Sequence, residues 1–342
     1  MYVCDKFSNR VEILDLSICD ERCLPSVCQV LKNRCPNLKQ LRIDGDFTDA
    51  CDVNLFQRGE EQILPLKPNL TLFTLTCYSY DPKIQFVKTL ANVIQLVVNA
   101  SPNLREVTIP WGFYPNLANS KCLESLHISL NEVDPYEIEE IQNDSRLSDM
   151  LHQVNDQLVG LSLGTVQNAL LLVPREGYDF GNSSPVGFHL ARRMPKLRKF
   201  SNRIVEMFRC SDFLQNIEMM PFLETLVLGR DLQELRGVDE ILRRIFKKQM
   251  ILPSVRKLKI IEVYDPKLLD GVATAFPNVE RLEIARWAEM GFDCKLDRLE
   301  VNVVLEACRR WNALKRLTLT LSKYPVQSFS RGCYKAGNCS NA

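Results

Sequence analysis

The chain predicts an α/β solenoid with parallel strands on a concave face and helices on a convex one, and three observations predict it. A nine-residue phrase recurs eleven times, the hydrophobic period switches between 2 and 3.6 from segment to segment, and several helices share one start signal. The last seven positions of the phrase are a Pro or polar residue, an aliphatic, two variable residues, an apolar, one variable residue and a last apolar. Cys35-Pro36-Asn37-Leu38-Lys39-Gln40-Leu41-Arg42-Ile43 shows it in full. Ser101-Pro102-Asn103-Leu104 runs on to Ile109, Met220-Pro221-Phe222-Leu223 to Leu228, Leu252-Pro253-Ser254-Val255 to Ile260 and Phe276-Pro277-Asn278-Val279 to Ile284. Looser copies begin at Val11, Leu70, Leu123, Leu158, Leu197 and Leu314. Spacing between copies averages about 30 residues, and the Leu197 copy carries Asn202 where the last apolar residue belongs.

Each phrase closes on apolar-x-apolar, the pattern of a short strand with one buried face. Helical spacing follows several of them. Ile84, Val87, Ala91, Ile94 and Val98 share a face, as do Val238, Ile241 and Ile245, and again Val301, Val304, Leu305 and Cys308. Asp81-Pro82, Asp134-Pro135 and Asp265-Pro266 set a capping carboxylate before a proline suited to the first helical position. Paired cations at Arg192-Arg193, Lys247-Lys248 and Arg309-Arg310 suit the negative ends of helix dipoles. A strand–helix unit of this size cannot bury its apolar face alone and must stack on its neighbours. The solenoid is expected over residues 1–321, with 322–342 a poorly packed tail lacking any periodicity.

Composition narrows the function. Of 342 residues 46% are apolar and 25% charged, which suits a globular chain. Lys plus Arg total 43 against 42 Asp plus Glu, which removes the usual electrostatic case for a nucleic-acid or membrane-surface binder. No apolar run approaches the length of a membrane span, and Met1-Tyr2-Val3-Cys4-Asp5-Lys6 does not begin a signal peptide. The 13 cysteines are odd in number and irregularly spaced, which points to a reducing compartment, cytoplasmic or nuclear. Four glycosylation triplets at Asn69, Asn143, Asn182 and Asn338 pull weakly the other way, with Asn69 in a segment assigned to the core.

The repeated phrase resembles the strand of the leucine-rich repeat, L-x-x-L-x-L, over residues 8 to 320. Its long, irregular copies, poor in the asparagine that follows the strand in the extracellular class, are more similar to intracellular ribonuclease-inhibitor-like and F-box proteins. The Pro-Asn-Leu openings are especially like the F-box group. That resemblance implies the substrate-recognition arm of an F-box-type ubiquitin-ligase receptor. A ligase adaptor is a partner only if an F-box precedes Met1. The alternative is a ribonuclease-inhibitor-like binding or sensor scaffold with no ligase role.

In such a fold the variable residues of each strand project from the concave sheet, where a repeat protein reads its partner. In the N-terminal half these are Gln40, Arg42, Thr74, Glu106, Thr108, Ser125 and His127, a mixed polar set. In the C-terminal half they are Lys199, Thr225, Lys257, Lys259, Arg281, Glu283, Arg316 and Thr318, five basic and one acidic. The expectation is a protein partner that is acidic or phosphorylated. Aromatic residues follow several strands (Tyr78, Tyr80, Trp111, Phe113, Tyr264, Trp287, Phe292). Trp111, Tyr264 and Trp287 are candidates for an aromatic binding edge, although plugging strand-to-helix turns is the favoured role for these rings.

Catalytic signatures do not hold together. Gly160-Leu161-Ser162-Leu163-Gly164 matches the nucleophile elbow but also the repeat phrase, with Ser162 on the sheet face and only His189 and Asp179 to serve it in chain order. Asp179-Phe180-Gly181 lacks the glycine-rich and His-Arg-Asp loops of a kinase. Arg175–Ser184 reads as a protruding polar loop and Asp44–Lys67 as a second insertion. Cys19, Cys23, Cys28 and Cys35 lack histidine partners, so no metal, no cofactor and no enzymatic activity are expected.

Overall fold

Each of the eleven phrases starts a strand two residues after its first aliphatic. In a computed structural model these are β1 (Ile13–Ile18), β2 (Gln40–Phe47), β3 (Leu72–Tyr80), β4 (Glu106–Pro110), β5 (Ser125–Ser129), β6 (Gly160–Leu163), β7 (Lys199–Asn202), β8 (Thr225–Leu228), β9 (Lys257–Ile261), β10 (Arg281–Arg286) and β11 (Arg316–Leu321). They form one sheet in sequence order, every pair parallel. The structure describes residues 8–19, 23–33, 35–47, 63–80, 84–129, 144–164, 190, 192–205, 209–229, 237–261, 263, 265, 267–286 and 301–321. Seven α-helices lie among them: α1 (Leu24–Asn33), α2 (Ile84–Ala100), α3 (Asp144–Val154), α4 (Cys210–Glu218), α5 (Gly237–Lys247), α6 (Leu268–Ala275) and α7 (Val301–Cys308).

The register follows the phrase. Leu161, Phe200, Leu226, Leu258 and Leu282 align on successive strands as one buried row, and Leu228, Ile260 and Ile284 form the next. At all ten junctions one backbone carbonyl, from Glu12 at the first to Glu280 at the last, accepts the N–H of two successive residues of the next repeat at 2.7–3.2 Å. The three Pro-Asn openings with a described bond add a side-chain link. Asn37, Asn103 and Asn278 donate through Nδ2 to the carbonyls of Asn9, Pro68 and Pro253 in the preceding repeat, at 2.8, 2.9 and 2.8 Å. The helices stack in order on one another, α4 on α5, α5 on α6 and α6 on α7.

Local departures have physical reasons. Asn202 is buried at the place of an aliphatic, but its Oδ1 accepts the N–H of Ile204 at 3.1 Å, and Ile204 and Val205 turn into the core instead. Ala91, expected on the buried face of α2, is exposed. The inward stripe is Leu90, Val93, Ile94, Val97 and Val98, one residue out of phase with it. Val301 and Leu305, expected inward on α7, are also exposed: among the described helices α7 packs on α6 alone, through the face that buries Val304 and Ala307. Asn69 is exposed at a turn although its neighbour Leu70 is buried. Asp265, expected as the cap, sits one step too early: its Oδ1 accepts the N–H of Lys267 at 3.1 Å, but Lys267 is the N-cap of α6 and no side chain caps the helix itself. Asp81-Pro82, Asp134-Pro135, Pro266, the loop 175–184 and the tail 322–342 lie outside the described residues. Among the described residues no helix is long and apolar enough to cross a membrane.

Candidate functional site: a cationic row on the sheet face

Strand alternation puts the first and third residues of each strand on the face away from the core. On β7 to β11 the first residues are Lys199, Thr225, Lys257, Arg281 and Arg316, each the register partner of the next. The third residues are Ser201, Val227, Lys259, Glu283 and Thr318, aligned in the same way. All six charged residues expected at a partner site therefore occupy two adjacent rows of one face. At about 4.8 Å per strand, Lys257, Arg281 and Arg316 place three cations within about 10 Å.

The rows differ in how their charge is met. In the second, Lys259 Nζ lies 2.6 Å from Glu283 Oε1 and the two neutralise each other. In the first, Lys199, Lys257, Arg281 and Arg316 are exposed and have no ion pair among the described residues. A third row, formed by the residue just before each strand, gives the contrast. There Arg198, Glu224, Arg256, Glu280 and Lys315 alternate in sign. Arg198 Nη1 is 3.7 Å from Glu224, and Glu280 holds both Arg256 Nη1 and Lys315 Nζ at 2.9 Å. Opposite charges on neighbouring strands stabilise a sheet and like charges destabilise it. The alternating row is what folding alone favours; the cationic row is not.

Hydrogen bonds from Lys315 and Arg256 hold the Glu280 carboxyl below its ordinary value of 4.5. A depressed acid stabilises the fold above its unfolded pKa and loses that contribution as pH falls through the folded one. The urea midpoint of Glu280→Gln should therefore lie below wild type at pH 7 in low salt. The gap should close as pH drops below 4.5 or as sodium chloride is raised to about 1 M. A gap independent of both pH and salt would show that the ladder contributes nothing electrostatic.

The remaining candidates are placed as follows. Gln40, Arg42, Thr74, Glu106, Thr108, Ser125 and His127 lie on the same face of β2 to β5. Arg42 pairs loosely with Asp15 at 3.9 Å and donates to Gln40 Oε1 at 3.3 Å, so this half is nearer neutrality. His127 is the register partner of Ser162, a neighbour that chain order hides because it comes before the serine. Its Nε2 lies 3.0 Å from the Gly164 carbonyl; burial lowers its pKa, that hydrogen bond opposes the shift and Arg203 adds to it, so the ring's neutral form is favoured. Ser162 has no hydrogen-bonded base among the described residues. Trp111 does not form an exposed edge: it is buried beside Tyr114, ring centroids 6.3 Å apart and edge-on, with its backbone N–H donating to the Ser129 carbonyl at 2.7 Å. Tyr264, Trp287, Asp179 and His189 lie outside the described residues. Cys28 and Cys35 are buried, and burial pushes the Cys28 thiol up to about 11; Cys19 and Cys23 are exposed.

Fold and site together define a strand–helix repeat solenoid with a charged sheet face. No protein-family model and no curated protein matches the chain. Among solved structures, a crystal structure of a Bacteroides fragilis protein is similar at 17% identity over 60% of this chain, with a TM-score of 0.28. The chain spans 47% of that protein's length, and a likeness at this level carries no argument about function.

Proposed function

We propose that this chain is a non-enzymatic protein-recognition scaffold that grips an acidic or phosphorylated segment of its partner on the face of β7 to β11. One observation carries the reading: Lys199, Lys257, Arg281 and Arg316 stand in a register-aligned row with no ion pair among the described residues, beside rows that are paired by opposite charge. Uncompensated like charge on a sheet is unfavourable for folding, so a ligand that supplies the missing carboxylates accounts for its presence. Buried aliphatic rows with free intervening side chains fit a leucine-rich repeat. Within that class the Pro-Asn-Leu openings favour the substrate-recognition arm of an F-box-type ubiquitin-ligase receptor, which would reach the ligase adaptor through an F-box. A ribonuclease-inhibitor-like scaffold would present an acidic face to a basic partner, and the cations of β7 to β11 disfavour it.

The test is a titration of the protein with fluorophore-labelled oligoglutamate and oligolysine of equal length. Oligoglutamate should bind and weaken as salt is raised, while oligolysine should not bind. Equal binding of both, or of neither, overturns the reading.

A further inference from the structure

Resting on that reading, we propose that the partner presents its acids on an α-helix laid across the strands, with carboxylates spaced i, i+3 or i+4, and i+7. The spacing of the row is the first argument. From Lys257 through Arg281 to Arg316 is two strand steps, about 9.6 Å. Carboxylates at i and i+7 of a helix are about 10.5 Å apart along the axis, with one at i+3 or i+4 between them. The mismatch of about 1 Å is well within the reach of Lys and Arg stems. An extended peptide repeats a face every second residue, so three acids on one face span about 13.6 Å and overrun the row by about 4 Å. Over the whole row, Lys199 to Arg316, four strand steps make about 19 Å. A helix covers this with about 21 Å between i and i+14, whereas five like-facing residues of an extended chain need about 27 Å.

Backbone hydrogen bonding is the second argument. Inside the sheet the strand N–H and C=O groups are committed to their neighbours, so a ligand crossing β8 to β10 meets side chains only. An extended peptide would find no backbone partner on the sheet there and would have to keep its own backbone groups on water. A helix arrives with them already paired. The neighbouring row suits the flank of such a helix: Val227 is half-buried, Lys259 and Glu283 neutralise each other, and Thr318 is uncharged. Thr225, the one uncharged member of the cationic row, predicts a gap in the stripe. Reading from Lys199 to Arg316, acids should fall at i, i+7, i+10 or i+11, and i+14, with a neutral residue at i+3 or i+4.

Synthetic peptides of about 18 residues decide the matter by fluorescence anisotropy against the full chain. The first is lactam-stapled into a helix with glutamates in the predicted stripe. The second has the same number of glutamates but carries prolines that keep it extended, and the third is stapled with its glutamates spread around the helix. A thymidine oligonucleotide of similar charge is the fourth probe. The stapled stripe should bind at least about tenfold tighter than each of the others, and the double variant Lys257→Glu/Arg281→Glu should abolish the difference. If the extended or the spread peptide binds as tightly, and the double variant still weakens it, the helical geometry is wrong while acidic-partner recognition stands. If no acidic peptide binds in any form, the recognition function falls with it. If the oligonucleotide binds most tightly, the row serves a polyphosphate backbone and both statements are overturned.

Discussion

Phe200→Ala is expected to destabilise the protein by about 3–5 kcal/mol, a loss comparable to a large share of the stability of an ordinary domain. Phe200 is 1% exposed and stacks on Phe213 of α4, ring centroids 6.3 Å apart at an interplanar angle of 28°. Its strand, β7, has four residues, and the second inward position is Asn202 rather than an aliphatic. The ring is therefore the one apolar side chain that β7 itself sends into the core, where most other strands send two or more; Ile204 and Val205 follow only past its end. A solenoid transmits stability only through nearest neighbours. Losing β7 uncouples β1–β6 from β8–β11 instead of weakening the whole evenly. Urea unfolding should show a lower first midpoint and a transition that splits in two. Ser201→Ala, on the opposite face of the same strand, is the control and should change stability by no more than about 0.5 kcal/mol. A single transition shifted by under about 1 kcal/mol for Phe200→Ala would mean the packing at this junction is redundant.

That junction also shows how much the residues disclose before folding. All eleven strands were legible, because the period-2 close of each phrase requires one buried face and a parallel stack provides it. The outward positions followed from the same alternation, so Lys257 and Arg281 could be placed on one face from spacing alone. Whether their charges were met could not. Neutralisation depends on which repeat stands beside which at each height, and loops of unequal length hide that in the linear order. The sign alternation at Arg198, Glu224, Arg256, Glu280 and Lys315 was present as a signal at the residue after each first aliphatic. It becomes meaningful once the register makes these residues neighbours. Helix faces were less legible. Ala91 was misassigned because α2 carries apolar residues at several phases, and Val301 and Leu305 because periodicity does not reveal that, among the described helices, α7 packs on α6 alone. Trp111 illustrates a further limit: a large ring just past a strand fits an anchor or a plug equally well, and only its packing on Tyr114 decides.

Reversing two members of the cationic row should separate binding from stability in opposite directions. The five cations of the C-terminal face outnumber Glu283 by four, and Lys257→Glu/Arg281→Glu takes that excess to zero. Affinity for an acidic peptide should fall well over tenfold, since two attractive contacts become repulsive. The fold should respond the other way. Arg281 stands between Lys257 and Arg316 in the register, so Arg281→Glu alone replaces two like-charge neighbours by two opposite-charge pairs. Each such cross-strand pair contributes roughly 0.2–1 kcal/mol, and surface exposure and salt keep it near the lower end. Arg281→Glu should thus raise the urea midpoint slightly in low salt while weakening the ligand, a combination that a residue kept for folding cannot give. Glu280→Gln should do the reverse: it lowers stability, and by removing a competing carboxylate beside the row it leaves acidic-peptide binding intact or slightly tighter. If both variants lower stability and neither alters binding, the cations belong to the scaffold and the ligand must be sought on another face.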